Sequence, residues 1–215
     1  MAYTPQAERE RQERKSRMVT ISVAVFIILT LVFSTLGFFY SGQDVDENKN
    51  PEYDYNGIKF VQVNGIWTFS TPQGQGTATF LPTLVKDIKC VNCEKLTRDS
   101  LRTENSKVYV VAFTQQENQA ASELTSSIQL YTNIQRACLQ EQENDPECLD
   151  LPLKSCKGNE KIFIFKEEEE EKNETLVIKQ ENCLFIKGNK GNKEKSDDLI
   201  KAADRAIYQI YGVLK

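Results

Sequence analysis

Val19 to Tyr40 is a run of 22 residues without a charged side chain, and no other segment limits the options of this chain so severely. As a helix rising ~1.5 Å per residue it would reach roughly 33 Å, enough to cross the hydrocarbon core of a bilayer. Fourteen of its residues are Val, Ile, Leu or Phe, each favouring insertion by about 0.3 to 0.6 kcal/mol near the helix centre. The expectation is a transmembrane helix over 19–40. Arg9, Arg11, Arg14, Lys15 and Arg17 precede it; the segment after it holds Asp44, Asp46, Glu47, Glu52 and Asp54 against Lys49 alone. Lys and Arg stay on the cytoplasmic side. Residues 1–18 are therefore read as a cytoplasmic basic tail, and everything beyond residue 40 as lying outside the cell membrane. The chain reads as a single-pass signal-anchor protein whose first partner is the lipid bilayer.

Two other readings of the segment are weaker. A cleaved signal peptide has an apolar core of about 7–15 residues and a small-x-small site; Ser34-Thr35-Leu36-Gly37-Phe38-Phe39-Tyr40 offers none. A pilin-like assembly subunit would carry a small residue at its processing point and an acidic residue just inside the helix. Arg17-Met18-Val19-Thr20-Ile21-Ser22 has neither. Thr30 and Ser34 form a small-xxx-small pair of the kind that lets helices approach, but such pairs are frequent in apolar helices, and a monomeric anchor is preferred.

Charge and composition exclude several activities. The chain holds 27 basic and 31 acidic residues; without the five basic and three acidic residues of the tail, 22 and 28 remain, a net −6. Nucleic-acid binding and anionic-membrane binding both rely on clustered Lys and Arg, so neither is expected. There is no histidine. Its absence removes the commonest general base, the Ser-His and Cys-His pairs and imidazole metal ligands together. No Gly-x-Ser-x-Gly elbow is present either. No cofactor and no metal are expected.

Residues 41–54, rich in Asp, Asn, Gly and Glu, read as a polar linker, and 55–215 as one extracytoplasmic domain. Ile58 to Val63, Asn64-Gly65 and Ile66 to Ser70 form the clearest local pattern: two β-prone runs around a type I′ turn. That register pairs Val63 with Ile66, Gln62 with Trp67 and Phe60 with Phe69. It puts Ile58, Phe60, Trp67 and Phe69 on one inward face. A short strand is expected over Thr77–Leu81, and a weak one over Val85–Lys89. Lys107 to Phe113 is nearly continuously apolar, as for a central strand covered on both faces. Thr114 and Glu117 make a capping box, and Ala121, Leu124, Ile128, Tyr131, Ile134 and Cys138 continue a helical stripe. Lys161–Phe165, Thr175–Lys179 and Cys183–Lys187 read as an antiparallel meander. Ser196 is then expected to cap a last helix whose buried face is Ile200, Ala203, Ala206 or Ile207, Ile210 and Leu214. The expected class is α+β, a mostly antiparallel sheet with two helices packed on it.

The Asn-Gly hairpin, Glu181-Asn182-Cys183-Leu184-Phe185-Ile186-Lys187-Gly188, and the run from Lys201 to Leu214 together resemble uncharacterised archaeal single-pass membrane proteins with a small extracytoplasmic domain. The resemblance implies the same topology and an archaeal cell envelope; its motifs are structural and imply no activity.

All six cysteines, Cys90, Cys93, Cys138, Cys148, Cys156 and Cys183, fall on the outer side. An even set there is the distribution of structural disulfides. Of the fifteen pairings six cysteines allow, the preferred set is Cys138–Cys148, Cys156–Cys183 and Cys90–Cys93. Cys90-Val91-Asn92-Cys93 is also a candidate redox pair, since a helix start and a neighbouring thiol lower a cysteine pKa. In a thioredoxin-like enzyme, however, the motif follows a core strand, and here the best core strand comes later. A zinc site built from four thiolates lacks a matching second Cys-x-x-Cys.

Four weaker motifs have plain readings. Glu167 to Glu171 is a solvated hairpin tip rather than a cation loop, which would need converging ligands and a shaping glycine. Asn173-Glu174-Thr175 matches the N-glycosylation acceptor pattern, making Asn173 a modification candidate. Gly188 to Ser196 has Lys193 where a phosphate loop needs glycine, and Gly74-Gln75-Gly76 lacks the third glycine of a dinucleotide turn. The expected function is a non-enzymatic protein-interaction or envelope-complex component, its partner another envelope or membrane protein. The alternatives are a membrane-tethered thiol-disulfide oxidoreductase using Cys90 and Cys93, and a pilin-like subunit.

Overall fold

The computed structural model describes residues 25, 26, 30, 50–101, 107–168, 174–189 and 197–214. The chain divides into two compact units, Met1–Lys49 and Asn50–Lys215. In the first, Val25, Phe26 and Thr30 are helical, and the Thr30 hydroxyl donates to the Phe26 carbonyl at 3.0 Å. The remainder of the expected membrane helix, and the basic tail, lie outside the described residues. Among the described residues no helix is long and apolar enough to cross a membrane.

The second unit is α+β. Its first sheet is an antiparallel meander of β1 (Glu52–Tyr55), β2 (Ile58–Val63), β3 (Ile66–Thr71) and β4 (Gly74–Ala78). Asn64 and Gly65 turn with φ of 53° and 84°, the left-handed backbone that a type I′ hairpin needs and that Asn and Gly tolerate. The pairs are Val63 with Ile66, Gln62 with Trp67 and Phe60 with Phe69, the register expected. Phe60 and Phe69 are buried, whereas Ile58 and Trp67 are half-covered. A second turn at Asn56-Gly57, φ 53° and 77°, joins β1 to β2, so the sheet already begins inside the segment read as a linker. The strand expected over Thr77–Leu81 is displaced toward the N-terminus, because Pro82 opens a one-turn helix, α1 (Pro82–Val85).

The second sheet has six strands, ordered β5 (Lys89–Val91), β11 (Leu176–Gln180), β12 (Cys183–Asn189), β10 (Lys161–Glu168), β6 (Lys107–Val111), β7 (Asn133–Arg136). Only β11 and β12 pair antiparallel; the other four pairings are parallel. The expected antiparallel meander is therefore corrected here, and with it the mostly antiparallel sheet. The cause lies in burial. Ile162 to Phe165 are all buried, so β10 needs covered neighbours on both sides. Strand β12, with Cys183, Leu184 and Ile186 buried, is such a neighbour. Strand β11 buries only Val177 and lies beyond β12, next to the edge strand β5. Strand β6 is covered on both faces as expected, Val108 and Val110 in one apolar cluster and Tyr109 and Val111 in the other.

Helix α3 (Gln115–Ile128) connects β6 to β7. Its capping box forms: the Thr114 hydroxyl accepts from the Glu117 amide at 3.2 Å, and the Glu117 carboxylate accepts from the Thr114 amide at 3.0 Å. The stripe expected to continue to Cys138 breaks after Ile128. Asn133–Arg136 instead form the edge strand β7 beside β6, and Cys138 lies in β8 (Cys138–Leu139), paired with β9 (Leu153–Lys154). A helical run to residue 138 would leave the outer edge of β6 unpaired. A further single turn, α2 (Arg98–Leu101), precedes β6.

Helix α4 (Asp198–Ile210) starts one residue beyond Asp197, its N-cap; the cap expected at Ser196 falls outside the described residues. The helix has no solvent face. Ala202 to Ile210 are all buried, so the expected single apolar face is corrected to a helix covered on every side. The meander rests on it through Phe60 and Phe69, whose rings stand 5.9 and 5.3 Å from Tyr208. On another side β12 approaches so closely that a Cβ on Gly188 would stand 2.6 Å from the Leu199 backbone. Asp204 is fully buried and its Oδ2 accepts from the Phe80 amide at 2.7 Å, while Oδ1 has no partner. Burial, then the nearby Glu123 charge, push its carboxyl well above the ordinary range.

This packing generates two expected outcomes. Gly188→Ala is expected to destabilise the domain by roughly 1–3 kcal/mol, as overpacking against a fixed backbone does, measured by chemical denaturation. Asp204 has a raised folded pKa, so the folded state keeps a proton that the unfolded chain has released above the ordinary carboxylate pKa. Stability should fall as pH rises through that window and be unpenalised below it. Asp204→Asn keeps the acceptor for Phe80 and removes the titration. Its thermal midpoint should overtake the parent's as pH rises from about 4 towards 7; parallel pH profiles for the two proteins would contradict this.

Candidate functional site

The three cysteine pairs are Cys90–Cys93, Cys138–Cys148 and Cys156–Cys183, with Cα separations of 5.6, 5.8 and 5.1 Å, and no described cysteine is free. They are the pairs preferred from the sequence. Cys138 and Cys148 tie β8 to a 3-10 turn at Pro146–Cys148. Cys156 joins the turn after β9 to Cys183 at the start of β12. Both bridges brace the irregular segment that covers the second face of the six-stranded sheet, where Tyr109, Val111, Ile162, Ile164 and Cys183 form the smaller apolar cluster. Lys154 reinforces that cover, lying 2.7 Å from Glu160 and 4.2 Å from the Tyr109 ring centre. In the loop-entropy account, bridges of this span each stabilise by roughly 3 kcal/mol.

Cys90 sits in the edge strand β5, and the chain turns back at Asn92, φ 57°, to place Cys93 in the core with 2% exposure. The expected weak strand before the motif is a helical turn and β5 itself. No helix begins at the motif; the next, α2, starts at Arg98. A cavity of about 360 Å³ opens on this disulfide, walled by Gln73, Glu94, Thr97, Gln209 and Leu214. A reactive thiolate is favoured by a helix N-terminus or an adjacent cation. The charged group lining this cavity is instead a carboxylate, Glu94, and Arg98 is occupied elsewhere, donating to the Gln73 carbonyl and lying 3.6 Å over the Tyr131 ring centre. This geometry suits a cross-link that pins a loop.

The pinned loop matters because it has two sides. Glu94 and Thr97 face the disulfide cavity, while Lys95, Leu96, Ser100 and Leu101 wall a second one of about 180 Å³. The opposite wall of the second cavity is the beginning of β10 (Lys161, Phe163), the end of β11 (Lys179) and the start of β12 (Cys183, Leu184). Its floor is apolar, with Leu96, Leu101, Phe163 and Leu184 all buried. Its rim carries three lysines and a single acid, Glu181. The Lys179 ammonium donates to the Glu181 carbonyl at 3.2 Å rather than to its carboxylate. Lys161 has no ion pair among the described residues, and burial, followed by the charge of Lys179, lowers its pKa.

The other sequence motifs play no part in either cavity. Asn173 and Glu169 to Glu171 lie outside the described residues; Glu167 and Glu168 belong to β10, with Glu168 bonded to Lys187 at 2.7 Å. Gly188 serves the close approach to α4, and Gly74-Gln75-Gly76 are part of β4. Among the described residues no group of three or more His, Cys, Asp or Glu is placed to hold a metal. Sequence reading passed over Lys95, Lys161 and Lys179, since no spacing relates residues that meet only through strand order. It passed over Asp204 and Glu123 for the same reason.

No protein-family model, curated protein or solved structure matches the chain.

The lowered pKa of Lys161 has a chemical consequence. A larger fraction of its amine is neutral at pH 8 to 9 than for an ordinary lysine with a pKa of about 10.4. With substoichiometric acylating reagent and peptide mapping, Lys161 is expected to be modified ahead of the exposed Lys59 and Lys89. Equal or slower labelling would show that its ammonium is not desolvated.

Proposed function

We propose that the chain is a membrane-anchored extracytoplasmic domain without catalytic activity, held by 19–40 with its N-terminus in the cytoplasm, which recognises another envelope or membrane protein. The observation that supports this reading best is the complete pairing of the cysteines. Three disulfides are the pattern of oxidising compartments and are rare in the cytosol outside hyperthermophiles. Together with the basic tail before the apolar run, they favour an outward domain. The missing histidine, which removes the commonest general base, favours recognition over chemistry. The archaeal resemblance agrees with this placement.

A thiol-disulfide oxidoreductase is the second reading, favoured by the cavity that opens on Cys90–Cys93. Structural bridges in secreted proteins have reduction potentials below about −300 mV, and catalytic ones lie higher. The expected value for Cys90–Cys93 is on the structural side, measured by equilibration with glutathione or dithiothreitol buffers. A potential near about −200 mV would instead favour the oxidoreductase. For the main reading, a membrane-impermeant thiol reagent applied to intact cells after mild reduction should label these cysteines. Photo-crosslinking in native membranes should recover one specific protein partner. Labelling only after permeabilisation would refute the orientation, and crosslinks to lipid alone would refute the interaction role.

A further inference from the structure

We infer that the cavity bounded by Lys95, Lys161 and Lys179 is a recognition site for the C-terminal carboxylate of a partner polypeptide whose last residue is leucine-sized and apolar. This deepens the interaction reading and rests on it for the choice of a polypeptide as ligand.

Size limits the ligand first. A dry cavity of about 150 Å³ accommodates benzene, so about 180 Å³ has room for one branched aliphatic or small aromatic group. The floor of Leu101, Phe163 and Leu184 is buried and apolar, and would receive such a group by removing its surface from water. The rim sets the charge. Three lysines and one acid, Glu181, line one small opening on a domain whose overall balance is acidic, and among the described residues none of the three lysines is in a salt bridge. Lys161 and Lys179 repel each other enough for the first to be affected by the second. An arriving carboxylate would relieve that repulsion and accept charge-assisted hydrogen bonds. A single carboxylate attached directly to an apolar side chain is the form that a polypeptide C-terminus presents, and capture of chain termini is a recurrent mode of peptide recognition. The Cys90–Cys93 bridge holds the loop that carries Lys95 and Leu96 and leads into α2 with Leu101, which ties the site to the cross-link.

The test uses full-length protein in nanodiscs and fluorescent hexapeptides ending in Ala-Leu, read by anisotropy. The peptide with a free carboxylate is expected to bind at least tenfold more tightly than the same peptide with a C-terminal amide, and rising salt should weaken only the former. Lys161→Gln and Lys179→Gln, whose folding is checked by thermal melts, should each lower affinity several-fold. Lys59→Gln on the outer meander should leave it unchanged. Equal binding of acid and amide, no loss in either rim variant, or no binding to folded protein would each overturn the inference. Binding of N-acetyl-leucine with exclusion of the peptide would overturn the polypeptide source. Partner crosslinking in native membranes is a separate measurement, so a failed peptide titration with a recovered partner sinks the site and spares the interaction role.

Discussion

Helix α4 is wedged between two sheets, and its insertion sets the rest of the domain. The meander reaches it through Phe60 and Phe69 packed on Tyr208 and Tyr211, with Phe69 and Tyr211 5.5 Å apart. The six-stranded sheet reaches it through Gly188, where only a missing Cβ lets strand and helix backbones come so near. A helix this enclosed must be apolar or small on every side. Runs such as Ala202-Ala203 and Ala206-Ile207 meet that demand, but Asp204, Arg205 and Gln209 do not, and each needs a partner supplied by another element. Asp204 accepts from Phe80, the Arg205 guanidinium donates to the Ile88 carbonyl at 3.1 Å and to Gln209 at 3.1 Å, and the Tyr208 hydroxyl donates to the Phe80 carbonyl. These bonds lock the Phe80–Ile88 segment, and with it the position of β5.

From β5 the constraint passes to the cavities. Strand β5 is held at the sheet edge by parallel pairing with β11, and the Cys90–Cys93 bridge reverses the chain immediately after it. The loop that emerges has Leu96 and Leu101 in the core, so its polar residues are left to face outwards into two small cavities. One is walled by a carboxylate and two glutamines, the other by three lysines and Glu181. A short disulfide in this place does little for the entropy of the unfolded chain, because its loop is short. Its effect is local: it fixes a reversal at an edge strand that would otherwise fray.

The other two bridges act at larger scale. They brace a stretch from Cys138 to Cys156 whose regular structure is limited to two-residue strands and short 3-10 turns. That stretch nonetheless has to keep water from Tyr109, Val111 and Ile164. Covalent closure here substitutes for the hydrogen-bonded regularity that the other face gains from two long helices. Local rules predicted these features well where they are self-contained. The Asn64-Gly65 hairpin and its register, the Thr114–Glu117 capping box and the apolar strand at Lys107 each depend on neighbours in sequence. The same rules failed where two parts of the chain compete for one place. The helical stripe through Tyr131 and Ile134 lost to the open edge of β6, and the meander at residues 161–187 lost to the need of β10 for a covered neighbour.

The amino-acid sequence by itself determined the apolar run at 19–40, the α+β character of the domain that follows it, the turns that need a left-handed backbone and the exclusion of histidine chemistry. Each is a matter of residue type or short-range spacing, to which hydropathy, φ preference and side-chain inventory respond directly. Only the tertiary structure decided the parallel order of the six strands, the full enclosure of α4 and the meeting of Lys95, Lys161 and Lys179 over an apolar floor. Those lysines stand 66 and 18 residues apart along the chain. They converge because strand order, set by the burial of whole elements, places the start of β10 and the end of β11 on either side of the start of β12, with the loop after β5 across from them.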